Sequence, residues 1–349
     1  MDREKLESMV HTGHVVKGLD LSGMDLSGAR LSGGIFEKVI LRGANLRGAE
    51  LKEAVLSECN LDDCDLSGAN ARFGTFHRSS LKKASFAEAE LENTKFVESV
   101  FEQATFARAH LLITTFANCS LTATSLDGAN FERGCLLQSS FAGGTVRGTN
   151  LDRCTFYGVD LRPADLTGAL LKLTMFVESA LGPKNFIGAS MPGCQFLEAD
   201  LAGARFDDAD MAQCNFKGAK LAGASFARVR AKNCLFLEAQ LQRVNFEGAD
   251  LMQSLFVHAD LTEARLAKAN LEQCMFMNAV CPKADFSGSK LGFADFSNAD
   301  IRQANFSDAS VFRTRFHRVR DDGARFSKGL GALGDDRELA EAESFNRGG

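Results

Sequence analysis

The sequence lacks the features that mark several common classes of protein. The formal net charge of the 349 residues is −5, so the chain has no basic excess of the kind that binds nucleic acid. No apolar run approaches the roughly twenty residues that a membrane-spanning helix needs. The charged opening, residues 1–5, is followed by no apolar core, which argues against a signal peptide. We therefore expect a cytoplasmic protein that contacts neither membrane nor nucleic acid directly.

Metal-binding and catalytic motifs are also missing. The chain has ten cysteines and six histidines, but no Cys-x-x-Cys pair lies near a histidine, as a zinc site would need. Four histidines are predicted to face outward with no thiol or carboxylate arranged around them: His77, His110, His258 and His317. No phosphate-binding loop connects a strand to a helix. We expect no enzymatic activity, no cofactor and no metal.

What the chain does contain is a five-residue repeat. From Leu21 to Phe326, an apolar residue stands at positions ending in 1 or 6, and a small residue stands two positions before it. About sixty units follow one another in this register. Residues twenty apart share their chemical type, so four units are predicted to make one turn of a coil with four sides. One column of the predicted stack reads Phe36, Leu56, Phe76, Phe96, Phe116, Leu136, Phe156, Phe176, Phe196, Phe216, Phe236, Phe256, Phe276, Phe296 and Phe316.

The repeated units resemble those of the pentapeptide-repeat family. The resemblance rests on segments such as residues 18–23 (GLDLSG) and 44–48 (ANLRG), and it extends over nearly nine-tenths of the chain. It implies an all-β fold, a right-handed quadrilateral β-helix of about fifteen coils with short terminal helices. At about 4.8 Å per coil, the rod would be roughly 70–75 Å long. Function varies widely within such a fold, so it must be argued from the surface.

Three segments are predicted along the chain. Residues 1–17 form an N-terminal helical cap, in which Leu6, Met9 and Val10 share one side of a short helix over residues 2–11 that Thr12-Gly13 stops. Residues 18–328 form a single repeat β-helix. Residues 329–349 form a flexible acidic C-terminal tail or a short helix. The register is disturbed at Pro183-Lys184, where a lysine takes an inward position and the coil is expected to loosen.

Most of the cysteines are predicted to be structural. Eight of them occupy the small inward position, where a free thiol behaves as a small hydrophobic group. They are Cys59, Cys64, Cys119, Cys154, Cys194, Cys214, Cys234 and Cys274.

An apolar surface is predicted on the side of the phenylalanine column. Residues on either side of each central phenylalanine should face solvent, because neighbours in a strand alternate direction. Several of them are apolar, and they form a candidate interface for a partner or for self-association. The alternative is that they are isolated exposed residues without a role. The candidate interface is Met175, Val177, Leu197, Leu235, Leu237, Leu255, Val257, Met275 and Met277.

A basic patch is predicted at the C-terminal end of the repeats. Its arginines could bind an acidic partner, or they could neutralise the nearby acidic tail. The patch comprises Arg313, Arg315, Arg318, Arg320 and Arg325.

Three functions remain open. The first is a non-catalytic scaffold or adaptor that binds a protein partner. Residues 9–28, with their GLDLSGMDLSG run, resemble the opening of pentapeptide-repeat proteins associated with bacterial type VI secretion. That resemblance implies an accessory role in loading or delivering an effector, with a secretion-spike or effector protein as partner. The second is a mimic of duplex DNA that binds gyrase. The positive and negative charges on the repeats nearly balance, which argues against this function because a DNA mimic needs an excess of carboxylates. The third is a translocated effector.

Overall fold

The computed structural model describes residues 1–327, 331–336, 338, 340 and 341. These residues form a parallel β-solenoid of about sixteen turns with one short α-helix. The predicted all-β repeat fold is thus confirmed. The chain divides into two compact units, Met1–Ala180 (unit 1) and Leu181–Gly349 (unit 2), which are described separately.

Unit 1 begins with helix α1 (Arg3–His11). The Asp2 carboxylate caps the helix by accepting a hydrogen bond of 2.8 Å from the backbone N–H of Lys5. Gly13 follows the helix with a φ of 75°, a left-handed conformation that glycine adopts without steric cost. The predicted stop at Thr12-Gly13 therefore coincides with the observed end of the helix.

Helix α1 covers the open end of the first coil. Its own side chains Leu6 and Val10 are buried. The Arg3 guanidinium donates hydrogen bonds to the carbonyls of Ser27 and Gly28 at 2.7 and 2.8 Å. These contacts remove apolar surface from water and satisfy carbonyl groups at a corner of the coil.

One side of unit 1 is a nine-stranded parallel sheet whose strands follow chain order. Partner residues lie twenty apart, as Phe36 and Leu56 do. The strands are β1 (Val16–Lys17), β2 (Ile35–Glu37), β3 (Val55–Ser57), β4 (Thr75–His77), β5 (Lys95–Val97), β6 (Thr115–Ala117), β7 (Cys135–Leu137), β8 (Thr155–Tyr157) and β9 (Met175–Val177). In unit 2, β10 (Asn305–Phe306) pairs with β11 (Arg325–Phe326), and single-residue parallel bridges twenty apart link the other coils.

The core of each unit is a column of stacked side chains. In unit 2 the ring of Phe236 lies 4.9 Å from those of Phe216 and Phe256, tilted by only 2° from each. In unit 1 the rings of Phe76 and Phe96 are 5.0 Å apart. These separations match the distance between neighbouring strands of a sheet. The stacking predicted from the twenty-residue period is confirmed in both units.

Small inward residues fill the space beside the rings and bond to the backbone of the coil before. The Cys64 thiol donates to the Leu41 carbonyl at 2.7 Å, and the Thr114 hydroxyl donates to the Leu91 carbonyl at 2.6 Å. All eight cysteines assigned to the inward position are buried, and every cysteine in the chain is a free thiol. Their predicted structural role is confirmed.

These thiols should be chemically inert in the folded protein. Burial raises the pKa of Cys274 and that of Cys64 to about 12, so the reactive thiolate is scarce at neutral pH.

Cys135 is the one half-buried cysteine and lies on the outer face of β7. We expect iodoacetamide at pH 8 to alkylate Cys135 at least tenfold faster than any other cysteine, as followed by peptide mass spectrometry over time. Equal rates at Cys135 and Cys274 would contradict this.

The irregular segment at Pro183-Lys184 lies at the start of unit 2. Lys184 is half-buried, so its ammonium group is not enclosed in the core. Its backbone N–H still donates to the Leu181 carbonyl at 2.9 Å, and its carbonyl accepts from the N–H of Arg205 at 2.9 Å. The backbone of the coil therefore keeps its register at this lysine.

Candidate functional site

Six apolar side chains of unit 2 line up on the outer surface of three consecutive coils. Parallel bridges join the coils at the first residue of each pair, and backbone hydrogen bonds, such as that of 3.0 Å from the Glu238 N–H to the Val257 carbonyl, join them just beyond the second. The result is two parallel rows of three side chains. The phenylalanine rings beneath set the spacing along each row, at 4.9 and 4.8 Å. We call this set the unit 2 patch: Leu235, Leu255 and Met275 in one row, and Leu237, Val257 and Met277 in the other.

Each side chain of the unit 2 patch is half-buried. Neighbours in the same row cover part of each surface, so the patch is a continuous, shallow apolar area and not a set of projecting side chains. Leu197 is also half-buried and belongs to the same column, but the charged Lys217 stands between it and Leu237. Met175 and Val177 lie on β9 in unit 1. The structure therefore places six of the nine predicted interface residues in one described cluster.

The edges of the unit 2 patch are polar but carry little charge. Asn233, Gln253 and Gln273 occupy the corner on one edge, and the amide nitrogen of Gln253 donates to the amide oxygen of Gln273 at 3.0 Å. On the other edge stand Glu238, His258 and Asn278. An apolar centre that is depleted of charge and surrounded by hydrogen-bonding groups is the composition of a protein–protein interface.

Unit 1 has an apolar surface that the predicted interface includes only in part. On the outer face of β7 to β9, Cys135, Leu137, Tyr157, Met175 and Val177 are half-buried neighbours, aligned by parallel pairing. The prediction begins at Met175 and so omits the first three. Sorting outward positions by the twenty-residue period along the whole chain would have detected this column.

The arginines of the predicted basic patch have different surroundings. The Arg315 guanidinium lies 3.4 Å from the Asp295 carboxylate, and that of Arg320 lies 3.6 Å from the Asp300 carboxylate. Arg313 stands over the ring of Phe293, with its central guanidinium carbon 5.7 Å from the ring centre. Arg318 donates to the Ala340 carbonyl at 2.8 Å, and Arg325 lies on β11. Several of these guanidinium groups therefore already contact other groups of the same chain.

The prediction that His317 faces outward is wrong. Its side chain is fully buried, and its Nδ1 accepts a hydrogen bond of 3.1 Å from the backbone N–H of Asp336. The cause is the segment 331–336, which lies along the last coil. The N–H of Leu333 donates to the Thr314 carbonyl at 2.8 Å, and the Asp335 carboxylate accepts from the N–H of Arg318 at 2.8 Å.

The described part of the chain offers no group of three histidine, cysteine, aspartate or glutamate side chains placed to hold a metal ion. A hollow of about 600 Å³ lies beside α1, next to Glu7, His11 and Arg30. The Glu7 carboxylate there already accepts hydrogen bonds from Arg3 at 2.8 Å and from the N–H of Arg30 at 3.0 Å, and these contacts lower its pKa. The hollow therefore contains a satisfied ion pair and not a poised acid or base.

Many of the charged side chains on the coils of unit 2 are paired with one of opposite sign. Arg228 lies 2.8 Å from Asp208, and Arg265 lies 2.9 Å from Glu247, each pair linking two neighbouring coils. Exposed pairs of this kind add little stability, but they cancel the local field. The described coils of unit 2 therefore show no row of unpaired carboxylates of the kind that a copy of the DNA backbone would present.

Comparison with known proteins identifies the repeat. A family model described as pentapeptide repeats matches residues 17–43, 49–86, 84–112, 135–172, 185–218 and 219–256. A second, described as a pentapeptide repeat region, matches residues 249–326. Together these matches cover well over half of the chain. No curated protein matches the sequence. Within the residues that the structure describes, no helix is both long and apolar enough to cross a membrane.

Several solved structures are similar to this chain at low sequence identity. A trypsin-treated form of QnrB1, a plasmid-mediated fluoroquinolone resistance protein, is 18% identical over 67% of this chain and 97% of its own, with a TM-score of 0.33. HetL, involved in heterocyst differentiation regulation in the cyanobacterium Nostoc sp. strain PCC 7120, is 20% identical over 90% and 96%, with a TM-score of 0.19. These likenesses carry no information on what this chain binds. The family matches, together with the observed twenty-residue coil, establish that the chain belongs to the pentapeptide-repeat family.

Proposed function

We propose that this protein is a non-catalytic scaffold that binds a protein partner through the unit 2 patch. The observation that carries the proposal is the pair of aligned apolar rows with amide side chains along one edge. Burying apolar surface drives association, and the polar edge supplies hydrogen bonds without the cost of burying charge. The rows stand on a stacked core, so little conformational entropy is lost when a partner binds.

The partner proposed is a different protein, and self-association is the alternative outcome. From the resemblance of residues 9–28 we propose, as the finer assignment, an accessory role in type VI secretion, with a spike or effector protein as the partner. Against gyrase binding by DNA mimicry stand the cationic side chains that alternate with the carboxylates of unit 2, many of them in ion pairs. A role as a translocated effector would use the same scaffold, and no feature of the described surface favours it.

The test is a double substitution, Leu237→Asp with Val257→Asp, in the unit 2 patch. Each adds a carboxylate that must be desolvated on binding, and each removes an apolar side chain worth about 1.5–3 kcal/mol when fully buried. We expect the affinity for the partner to fall by at least roughly 100-fold. Affinity capture from the native cell extract, with mass spectrometry, identifies the partner, and titration calorimetry with the purified partner gives the affinity.

Ala222→Asp with Ala267→Asp is the matched control. Both alanines are half-buried on other sides of unit 2, so the two variants add the same charge to the same unit. The control should bind like the unmodified protein. If both variants bind equally well, the unit 2 patch is not the interface. A change of mass by light scattering in the test variant alone would identify the partner as a second copy of the chain.

A further inference from the structure

The corners of the coils impose a specific backbone conformation. At most corners of the described coils a residue has positive φ, and forty of these residues are not glycine. Glycine, asparagine and aspartate enter the left-handed region at low cost, whereas a bulky or β-branched side chain crowds the following carbonyl and costs roughly 1–2 kcal/mol. A large apolar residue at a corner is therefore disfavoured both by strain and by exposure.

Unit 1, all of whose residues are described, places three large apolar residues in this conformation. Phe73, Ile113 and Leu173 have φ values of 61°, 59° and 58°. They are 50, 37 and 41% exposed, so the core does not account for them. Their numbers differ by multiples of twenty, so all three lie on the same one of the four corners. The other three corners of unit 1 hold glycine, alanine, proline, amide or charged residues at this position.

The residues between them on this corner are cationic or polar. The six-residue row from Phe73 to Leu173 is Phe73, Asn93, Ile113, Arg133, Arg153 and Leu173, and it contains no carboxylate; Glu53 precedes it on the same corner. Arg133 is exposed, and Arg153 reaches the neighbouring Glu132 at 3.1 Å in a solvent-exposed pair that a partner can exchange at little cost. We call this row the unit 1 edge.

The spacing of the unit 1 edge fits an α-helix. Rings in the coils beneath it are separated by 4.8–5.2 Å, so the six residues span about 25 Å. Residues on one stripe of a helix recur at i, i+7, i+11, i+14 and i+18, which is about 27 Å in all. The first, third and last residues of the edge then face apolar positions i, i+7 and i+18. The two arginines face positions i+11 and i+14.

We propose that the unit 1 edge binds an amphipathic helix that carries apolar side chains at i, i+7 and i+18 and carboxylates at i+11 and i+14. Charge complementarity selects this partner, since the edge presents two guanidinium groups and no carboxylate. The apolar side chains give the helix its anchors, and the strained corners hold those anchors outside the core. The unit 1 edge is a different surface from the unit 2 patch, so the two proposals succeed or fail separately.

The probe is a synthetic 19-residue helical peptide with leucine at positions 1, 8 and 19 and glutamate at 12 and 15. A second peptide has lysine at positions 12 and 15. We expect the full-length protein to bind the glutamate peptide at least tenfold more tightly, measured by fluorescence anisotropy at low salt. The variant Arg133→Glu with Arg153→Glu should reverse this preference, because the same carboxylate–cation pairs form with their signs exchanged.

The triple variant Phe73→Asn, Ile113→Asn and Leu173→Asn separates binding from folding. Asparagine tolerates the left-handed corner, as Asn93 shows on the same row with a φ of 55°. Tm should therefore rise, on the order of 2 °C for each substitution, while binding of either peptide falls at least tenfold. Gln103→Asn, on another corner with a φ of 60°, is the matched control and should leave peptide binding unchanged.

Three results would overturn the proposal. A lower Tm in the triple variant would show that the three side chains stabilise the fold and are not held there to bind a partner. Equal affinity for the two peptides, or no binding at millimolar peptide, would remove the acidic helix as the partner. Sedimentation with phosphatidylserine vesicles that is abolished in the triple variant, without peptide binding, would assign the edge to a lipid surface instead.

Discussion

Replacing Phe236 with alanine is expected to lower the free energy of unfolding by about 3–5 kcal/mol. The ring is fully buried, stacks on Phe216 and Phe256, and meets the edges of Phe226 and Phe246 at 6.1 and 5.6 Å. Its removal leaves a cavity that the neighbouring coils cannot close, because their spacing is fixed by backbone hydrogen bonds above and below. A thin columnar core has no second layer of side chains to fill the gap.

Urea unfolding followed by circular dichroism measures this effect, and two further variants calibrate it. Phe236→Leu should cost less, about 1–2 kcal/mol, because leucine already occupies the same column at Leu56 and Leu136. Leu237→Ala, at the next residue but facing outward, should cost less than about 1 kcal/mol. If Phe236→Ala and Leu237→Ala destabilised the protein equally, the stack would not be the main source of stability.

The period of the sequence was enough to predict the core. A side chain that recurs every twenty residues with an unchanged chemical type reports the stacking of coils directly, and the rings of Phe216, Phe236 and Phe256 follow it closely. Cysteine, alanine, serine and threonine alternate at the inward position because each is small enough to lie beside a ring. Local repetition thus fixes both the fold and the core residues, because each coil packs mainly against its immediate neighbours.

The ends of the repeats could not be predicted in the same way. Arg315 pairs with Leu333, eighteen residues later and not twenty, so the twenty-residue rule fails at the last coil. This shorter step brings residues 335 and 336 over His317, which the repeat alone would place outside. A period carries no information about the segment that interrupts it.

The candidate surfaces were only partly visible in the sequence. Because neighbouring residues of a strand point in alternate directions, the sequence predicts which side chains of the unit 2 patch face outward. How far each side chain is exposed depends on how neighbouring rows cover one another. The unit 1 edge was missed for a different reason. Nothing in the sequence distinguishes Phe73 and Ile113 from other apolar residues. Only the structure shows that their φ is positive, a conformation in which a smaller or more polar residue would be less strained.

Detaching the N-terminal helix is expected to have the second large effect. In the variant Leu6→Asp with Val10→Asp, two carboxylates would replace side chains that are buried against the first coil. The burial of these two apolar side chains is worth about 3–5 kcal/mol, and the cost of burying an unpaired charge prevents the helix from docking. With the helix displaced, the first coil, including β1, presents an open strand edge, which is a site for pairing with other chains.

We therefore expect the Leu6→Asp/Val10→Asp variant to form dimers and larger species, with mass rising with concentration in light scattering. Amide exchange should accelerate from β1 into the coil that contains Ser27 and Gly28, since Arg3 leaves these two carbonyl partners when the helix detaches. Ser8→Asp, on the exposed side of the same helix, should remain monodisperse to the same extent as the unmodified protein. A test variant that kept its mass and its exchange protection would show that the first coil is stable without the helix. The stacked phenylalanine column would then be enough to keep the end of the solenoid folded and monomeric.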